Sequence, residues 1–302
     1  MALDNDFPRF VNRTRTCYND DNMKEKDDLE KSALQARAQV LRMIRVARSG
    51  HLAGSLSGID VMTYFYRRVL NVKPDEPAWD GRDRFLLSAG HVCPAWYAVL
   101  SERGFINPEQ LLTLRQLGSP LQGHPRRDVS LGIENSAGSL GQGVSLAAGI
   151  ALALQRGGGS QRVFVYSSDG EQDEGMVWEA YLFASHYHLG NLTVIIDVNG
   201  IQQSGATCEV LDLGDLSGKL RAFGWAVEKC DGHDFSDIEA KYSKLNKISD
   251  RPRALLCRTI PGKGISLLEA DAHWHAGQPS EEGWRAIFGE LAGKLEAAGV
   301  SL

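Results

Sequence analysis

Hydrophobic and polar positions alternate in blocks that switch between helical and strand spacing along this chain. From Leu29 to Val46, "LEKSALQARAQVLRMIRV" places apolar residues three and four apart, which predicts an amphipathic helix. "SGHLAGSLSGID" reads as a turn rich in glycine and serine, with a further helical pattern running through Tyr64–Val69. "RFLLSAGH" predicts a short strand ending in a turn, and "PAWYAVLSERG" a helix. "NSAGSLGQGVSLAAGIALALQRGGG" is a glycine-rich turn, then a long small-residue helix that a triple glycine stops. "RVFVYSS" and the β-branched "NLTVIIDV" are strands, with the amphipathic "DEGMVWEAYLFASHYHLG" between them. "GWAVEKCDG" and "ALLCRTI" are later strands separated by a helical pattern at Asp237–Leu245, and a last helix follows Ser280. Strands that alternate with helices predict an α/β fold: a mostly parallel central sheet with helices on both faces. There is no internal repeat and no linker, so one domain with two peripheral ends is the simplest organisation.

Composition changes this picture little. The 302 residues are 43% hydrophobic and 24% charged, which is ordinary for a globular chain with a large core. A net charge of -5 argues against a nucleic-acid surface, and no apolar run approaches the roughly 20 residues that span a bilayer. The five cysteines, Cys17, Cys93, Cys208, Cys230 and Cys257, are odd in number, widely spaced and free of any C-x-x-C pair. Reduced thiols in a cytoplasmic protein fit that pattern better than a disulfide framework or a zinc site. The start, "MALDNDFPRFVNRTRTCYNDDN", is polar and has no apolar core for a signal peptide, so residues 1–23 are expected to be a poorly ordered extension.

Candidate chemistry concentrates where the first long strand ends. "VFVYSSDGEQDEG" puts Asp169, Glu171, Asp173 and Glu174 directly after it. Parallel strands joined by a right-handed crossover end on one sheet edge, and open α/β sheets bind ligands at that edge. Asp169 leaves the first strand there and Asn199 leaves the second, with residues 171 to 197 between the two dipeptides. A carboxylate, an amide oxygen and a following carbonyl, that of Ile201, form an oxygen set suited to Mg²⁺, which usually shares a phosphate ligand. Gly170 leaves room for a phosphate at the main chain, and the next helix N-terminus offers free N–H groups. The bland alternative is an ordinary acidic turn that starts a helix.

Two other features stand beside it. "SAGSLGQG" orders its glycines G-x-x-G-x-G and follows no clear strand, so it lacks the context of a dinucleotide-binding fingerprint. It still implies close main-chain approach to a ligand or to a packed helix. His51, His91 and His124 each sit beside glycine in a short turn ("SGHLAG", "SAGHVC", "QGHPRR"), a setting suited to proton transfer near neutral pH. His273 and His275 flank a tryptophan in "DAHWHAG"; His186 and His188 on the crossover helix are read as structural, and His233 ends a strand.

Taken together, "SGHLAGSLSGID", "LSAGHVCPAWYAVL", "GHP", "GSLGQGVSLAAGIALA", "SDGEQDEGMVWEA", "LGNLTVIIDVNGIQ", "DGHD" and "PGKGISLLE…HWHAG" resemble, in order, the N-terminal half of transketolase. Residues 24–302 would then be its diphosphate-binding (PP) domain with a helical tail. The family's G-D-G…N-N metal motif is matched except that Ser168 and Val198 replace its first glycine and first asparagine. The resemblance implies Mg²⁺ or Ca²⁺ held by Asp169, Asn199 and the Ile201 carbonyl. It implies thiamine diphosphate lined by Gly138, Ser139 and Leu140, with Gly170 and Glu171 near the diphosphate and Lys263 neutralising it. His51, His91, His124 and His275 match histidines that face the reactive carbon and the sugar hydroxyls, His91 and His275 also touching the cofactor. Glu174 matches an acidic residue near the subunit interface.

The family's second half, which binds the pyrimidine ring and activates the cofactor, has no counterpart in this sequence. The resemblance therefore implies the first, diphosphate-binding subunit of a split transketolase, working with a second polypeptide in an α2β2 assembly. It would move a two-carbon glycolaldehyde unit from a ketose (phosphate) to an aldose (phosphate). The alternatives are the α chain of a 2-oxo-acid dehydrogenase, which shares the cofactor and metal motif, and a non-catalytic cofactor-binding subunit.

Overall fold

The structure, a computed structural model, describes residues 26–300; the expected N-terminal extension lies outside the described residues. Five parallel strands form the sheet: β1 (Arg84–Leu87), β2 (Val163–Ser168), β3 (Leu192–Val198), β6 (Ala226–Asp231) and β7 (Arg253–Arg258). Their order is β1-β2-β3-β7-β6. Between β3 and β6 the chain makes a small hairpin, β4 (Ile201–Gln202) with β5 (Gly205–Ala206).

Helices cover both faces, as the alternation predicts. Side chains of successive strand residues point to opposite sides, and both sides are apolar. Phe164, Tyr166, Ile195, Leu255 and Cys257 face α1 (Lys26–Ala47), α3 (Ile59–Tyr64), α4 (Cys93–Glu102), α9 (Phe235–Asn246) and α10 (Glu281–Ala297). Val163, Val165, Val194, Ile196, Ala254 and Leu256 face α5 (Gln142–Arg156), α6 (Gly175–His186) and α8 (Leu216–Ala222). This two-sided burial is why the strands read as continuous apolar runs. Each large apolar side chain so buried is worth roughly 1.5–3 kcal/mol.

α1 is the spine of the first layer, burying Leu29, Ala33, Ala36, Val40, Leu41 and Ile44 at helical spacing. Its Arg37 pairs with buried Asp60, whose Oδ2 also meets His233 Nδ1 at 2.7 Å. His233 Nε2 in turn accepts from the Ile260 N–H at 2.9 Å. His233 is thus a structural residue that anchors the loop after β7. His186 and His188, expected to be structural, are exposed.

Three segments differ from the sequence expectation. "SGHLAGSLSGID" is mostly helical: Leu52–Ser57 forms α2, every residue of it buried. Glycine and serine are poor helix formers, and here tight burial overrides propensity. The expected helix through Val69 is α3 followed by a π turn at Phe65–Val69. The β4–β5 hairpin, α7 (Thr207–Val210) and α8 carry no pattern strong enough to predict. The four described cysteines are free, although Cys230 and Cys257 sulphurs lie 3.6 Å apart on neighbouring strands.

Candidate active site

The site lies at the C-terminal sheet edge, where register sets its geometry. Ser168 pairs with Asp197, so Asp169 and Asn199 leave adjacent strands side by side. Asp169 is 5% exposed. Its Oδ1 accepts from the Gly170 N–H at 2.9 Å and its Oδ2 from the Gly200 N–H at 2.7 Å. Asn199 Oδ1 accepts from the Ile201 N–H at 2.9 Å, while its Nδ2 donates to Asp197 Oδ2 at 3.4 Å. Asp197 also accepts from Ser57 Oγ at 2.7 Å and from Thr259 Oγ1. Among the described residues no basic side chain pairs with Asp169 or Asp197. Burial first, then the Asp197 charge, push Asp169 up to about 7.

Two buried carboxylates facing one another without a counter-charge suit a cation. No three His, Cys, Asp or Glu side chains among the described residues are grouped to hold a metal. The available set is a carboxylate, an amide oxygen and a main-chain carbonyl, all oxygen, which fits a hard dication completed by phosphate or water. Asp197 was not singled out by motif, yet a charge inside the β-branched run "TVIIDV" is a legible signal.

Glu171 turns inward. It is fully buried. Its Oε1 accepts from Ser88 Oγ at 2.5 Å and the Gly141 N–H at 2.6 Å, and its Oε2 from Ser167 Oγ at 2.5 Å. It ties the ends of β1 and β2 to the start of α5. A 3-10 turn, Gly170–Asp173, separates Asp169 from α6, so the N–H groups beside Asp169 belong to this turn rather than to a helix end. Asp173 closes that turn; Glu174, exposed, takes the N-cap position of α6. A side chain at Gly170 would meet Gln202 Oε1 at 2.7 Å. Ser168 sits at the strand end, with its carbonyl bonded to Gln172 Nε2 at 2.8 Å. Val198 packs against the second core.

Three of the four candidate histidines converge. Ring centroids are 5.1 Å apart for His51–His91, 5.5 Å for His51–His275 and 5.4 Å for His91–His275. They arrive from the α2 N-terminus, the turn after β1 and the 3-10 turn Ala272–His275. Burial, then mutual repulsion, lowers His51 to about 4 and His91 to about 3; burial also lowers His275. All three are neutral at pH 7 and able to accept a proton. His51 Nδ1 is buried with no hydrogen-bond partner among the described residues. His124 is exposed and outside the ring contacts, yet close enough for its charge to oppose protonation of His51 and His91.

The cofactor-lining candidates are also placed at this edge. A Cβ on Gly90 would stand 3.0 Å from the Ala137 carbonyl carbon and 3.1 Å from the Gly138 nitrogen, so the His91 turn lies against the Gly138 turn. Gly138 and Ser139 are exposed and Leu140 is half-buried. Lys263 is half-buried with Nζ 3.9 Å from Glu269, an ion pair that competes with any role at a diphosphate. Cavities of about 460 Å³ beside Trp225 and about 470 Å³ beside Tyr242 involve none of these residues.

Comparison with known proteins agrees with this geometry. Residues 29–287 match the family model described as transketolase, thiamine diphosphate binding domain. The chain is 36% identical over 270 residues to one subunit of the apulose-4-phosphate transketolase of Phocaeicola vulgatus, covering 89% of this chain and 96% of that one. It is 38% identical over 268 residues to the SqwG subunit of 6-deoxy-6-sulfo-D-fructose transketolase from Clostridium sp., covering 89% and 98%. The transketolase structure from Leishmania mexicana superposes with a TM-score of 0.80 at 28% identity, covering 87% of this chain but 41% of that chain. The chain therefore spans less than half the length of that solved transketolase and nearly all of each subunit relative. It belongs to the transketolase family, as a thiamine diphosphate-binding domain.

Proposed function

We propose that this chain is the diphosphate-binding subunit of a two-chain transketolase, transferring a two-carbon ketol unit from a ketose to an aldose. The observation that carries the reading is the convergence of His51, His91 and His275 at the sheet edge that also holds Asp169 and Asn199. The whole of residues 24–302 is taken as one diphosphate-binding unit. Asp169, Asn199 and the Ile201 carbonyl would hold Mg²⁺ or Ca²⁺, and Gly138, Ser139, Leu140 and Gly170 would line the cofactor. Thiamine diphosphate, when bound, supplies the nucleophilic carbon and the electron sink. This chain's own share is positioning and proton transfer. Neutral His51, His91 and His275 accept and return protons of the sugar hydroxyls, with His124 at the rim. Glu171 acts through the main chain, keeping the Gly141 turn in place.

The pyrimidine-binding half would come from a second polypeptide in an α2β2 assembly. Exposed Leu146 on α5 and Leu182 and Phe183 on α6 are apolar surface for it to cover. Both subunit relatives are named for ketoses bearing an anionic end group, which supports sugar phosphates or similarly charged sugars as substrates. The four free cysteines among the described residues suit a cytoplasmic enzyme. The net charge of -5 does not suit nucleic acid, and no described helix is long and apolar enough to cross a membrane.

The test is reconstitution. The chain alone should show no measurable ketol transfer, and addition of a pyrimidine-binding partner chain with cofactor and Mg²⁺ should restore it. Full activity in the isolated chain would sink the two-chain reading. Decarboxylation of pyruvate or branched 2-oxo acids, without ketol transfer, would instead favour the 2-oxo-acid dehydrogenase assignment.

A further inference from the structure

We propose that Arg115 is a positioning residue, clamping the turn that carries His51 to the turn that carries His124. It belongs to neither turn. Its Nη1 donates to Ser49 Oγ at 2.7 Å, two residues before His51. Its Cζ and Nη2 lie 2.6 and 2.8 Å from where a Cβ on Gly123 would stand, so the guanidinium lies against the main chain directly before His124.

The backbone is arranged around the same contact. Arg115 has φ +60°, a left-handed conformation that costs an L residue roughly 1–2 kcal/mol. Strain of that kind persists only where the surroundings over-determine it. Here the Arg115 N–H closes the loop on the Leu121 carbonyl at 2.9 Å. Tyr97 Oη holds the Gln122 carbonyl at 2.9 Å, and Cys93 Sγ holds the Gly123 carbonyl at 3.3 Å. A strained arginine and a glycine thus converge on one ion that bridges two histidine turns.

The same ion opposes protonation of both turns. Facing His51 are His275, Arg115 and His124, and the repulsion adds to burial; Arg115 also faces His124 and lowers it after burial. The histidine neighbours of His51 are neutral at pH 7, whereas Arg115 carries a permanent positive charge that acts on both rings. The clamp therefore does two jobs: it fixes the separation of two proton-transfer groups and adds to the burial that disfavours their protonation.

This rests on the ketol-transfer reading, and the experiment separates the two. In the assembled two-chain enzyme, Arg115→Met should lower kcat roughly 10- to 100-fold with little change in KM, because small misplacement of a catalytic group is costly. Its acid limb should move to higher pH. Arg115→Lys keeps the charge and loses the fork, so kcat falls while the acid limb stays. Ser49→Ala, which removes only the acceptor, should give the same pattern more weakly. An Arg115→Met enzyme with unchanged rate and unchanged pH profile overturns the proposal. So does a rate loss whose pH profile never moves, since that is a merely structural effect. Histidine NMR titration of the full chain, with His51→Gln and His124→Gln for assignment, gives a readout free of activity. Both rings should titrate higher in Arg115→Met, and identical titrations overturn the proposal. Absence of ketol transfer in the wild-type assembly would defeat the functional reading alone, leaving the titration to decide on Arg115.

Discussion

His91 shows how much chemistry one buried ring concentrates. An unfolded histidine titrates near 6.5, whereas the folded ring is lowered to about 3 by burial and by its histidine neighbours. Below pH 6.5 the unfolded chain binds a proton that the folded ring refuses, so stability is lost as pH falls toward 3. Stability is fully present above 6.5. Between pH 7 and pH 5 this ring should cost the wild type about 1 kcal/mol after discounting for its solvent-facing edge. A His91→Gln chain should lose correspondingly less over the same interval, measured by urea unfolding at both pH values. Equal losses would show that the ring is not held neutral. The glycine-flanked setting of His51 and His91 was legible in the sequence, whereas His275 was marked only by its place beside a tryptophan. The mutual contact of the three was not legible, because it joins three loops far apart in the chain.

Elements decide where those residues stand. Glu171 joins β1, β2 and α5 through Ser88, Ser167 and the Gly141 N–H, with no solvent contact. Hydrogen bonds to a buried charge are among the stronger ones, and Glu171→Ala leaves three donors unanswered. We expect a loss of at least about 3 kcal/mol in chemical denaturation, with Glu171→Gln between that and wild type. A loss below about 1 kcal/mol would mean that the strut is dispensable. The acidity of "SDGEQDEG" was plain from the sequence, but the division of labour among its carboxylates was not. Asp169 lies at the strand end and Glu171 turns inward, because a 3-10 turn rather than a helix follows β2. The α2 segment was hidden for a related reason: its glycine and serines are chosen for close packing, which a propensity argument reads as a turn.

At the scale of the molecule, the candidate residues gather at one sheet edge. Ligand that binds only the folded form raises stability by mass action, about 2.7 kcal/mol at a hundredfold excess over Kd. In the assembly of this chain with its partner, thiamine diphosphate with Mg²⁺ should therefore raise the melting temperature by several degrees. Either component alone should do less, and Asp169→Asn should abolish the shift. A full shift in the Asp169→Asn assembly would remove Asp169 from the metal set.

What the sequence by itself determined is the class of fold, the succession of strands and helices and the family. Each is written in local periodicity and in short motifs whose order survives without coordinates. Only the tertiary structure decided which carboxylates face the edge, which histidines meet and which arginine braces them. Those outcomes depend on strand register, on turn geometry and on burial, and none of the three is carried by a residue's own neighbours in the chain.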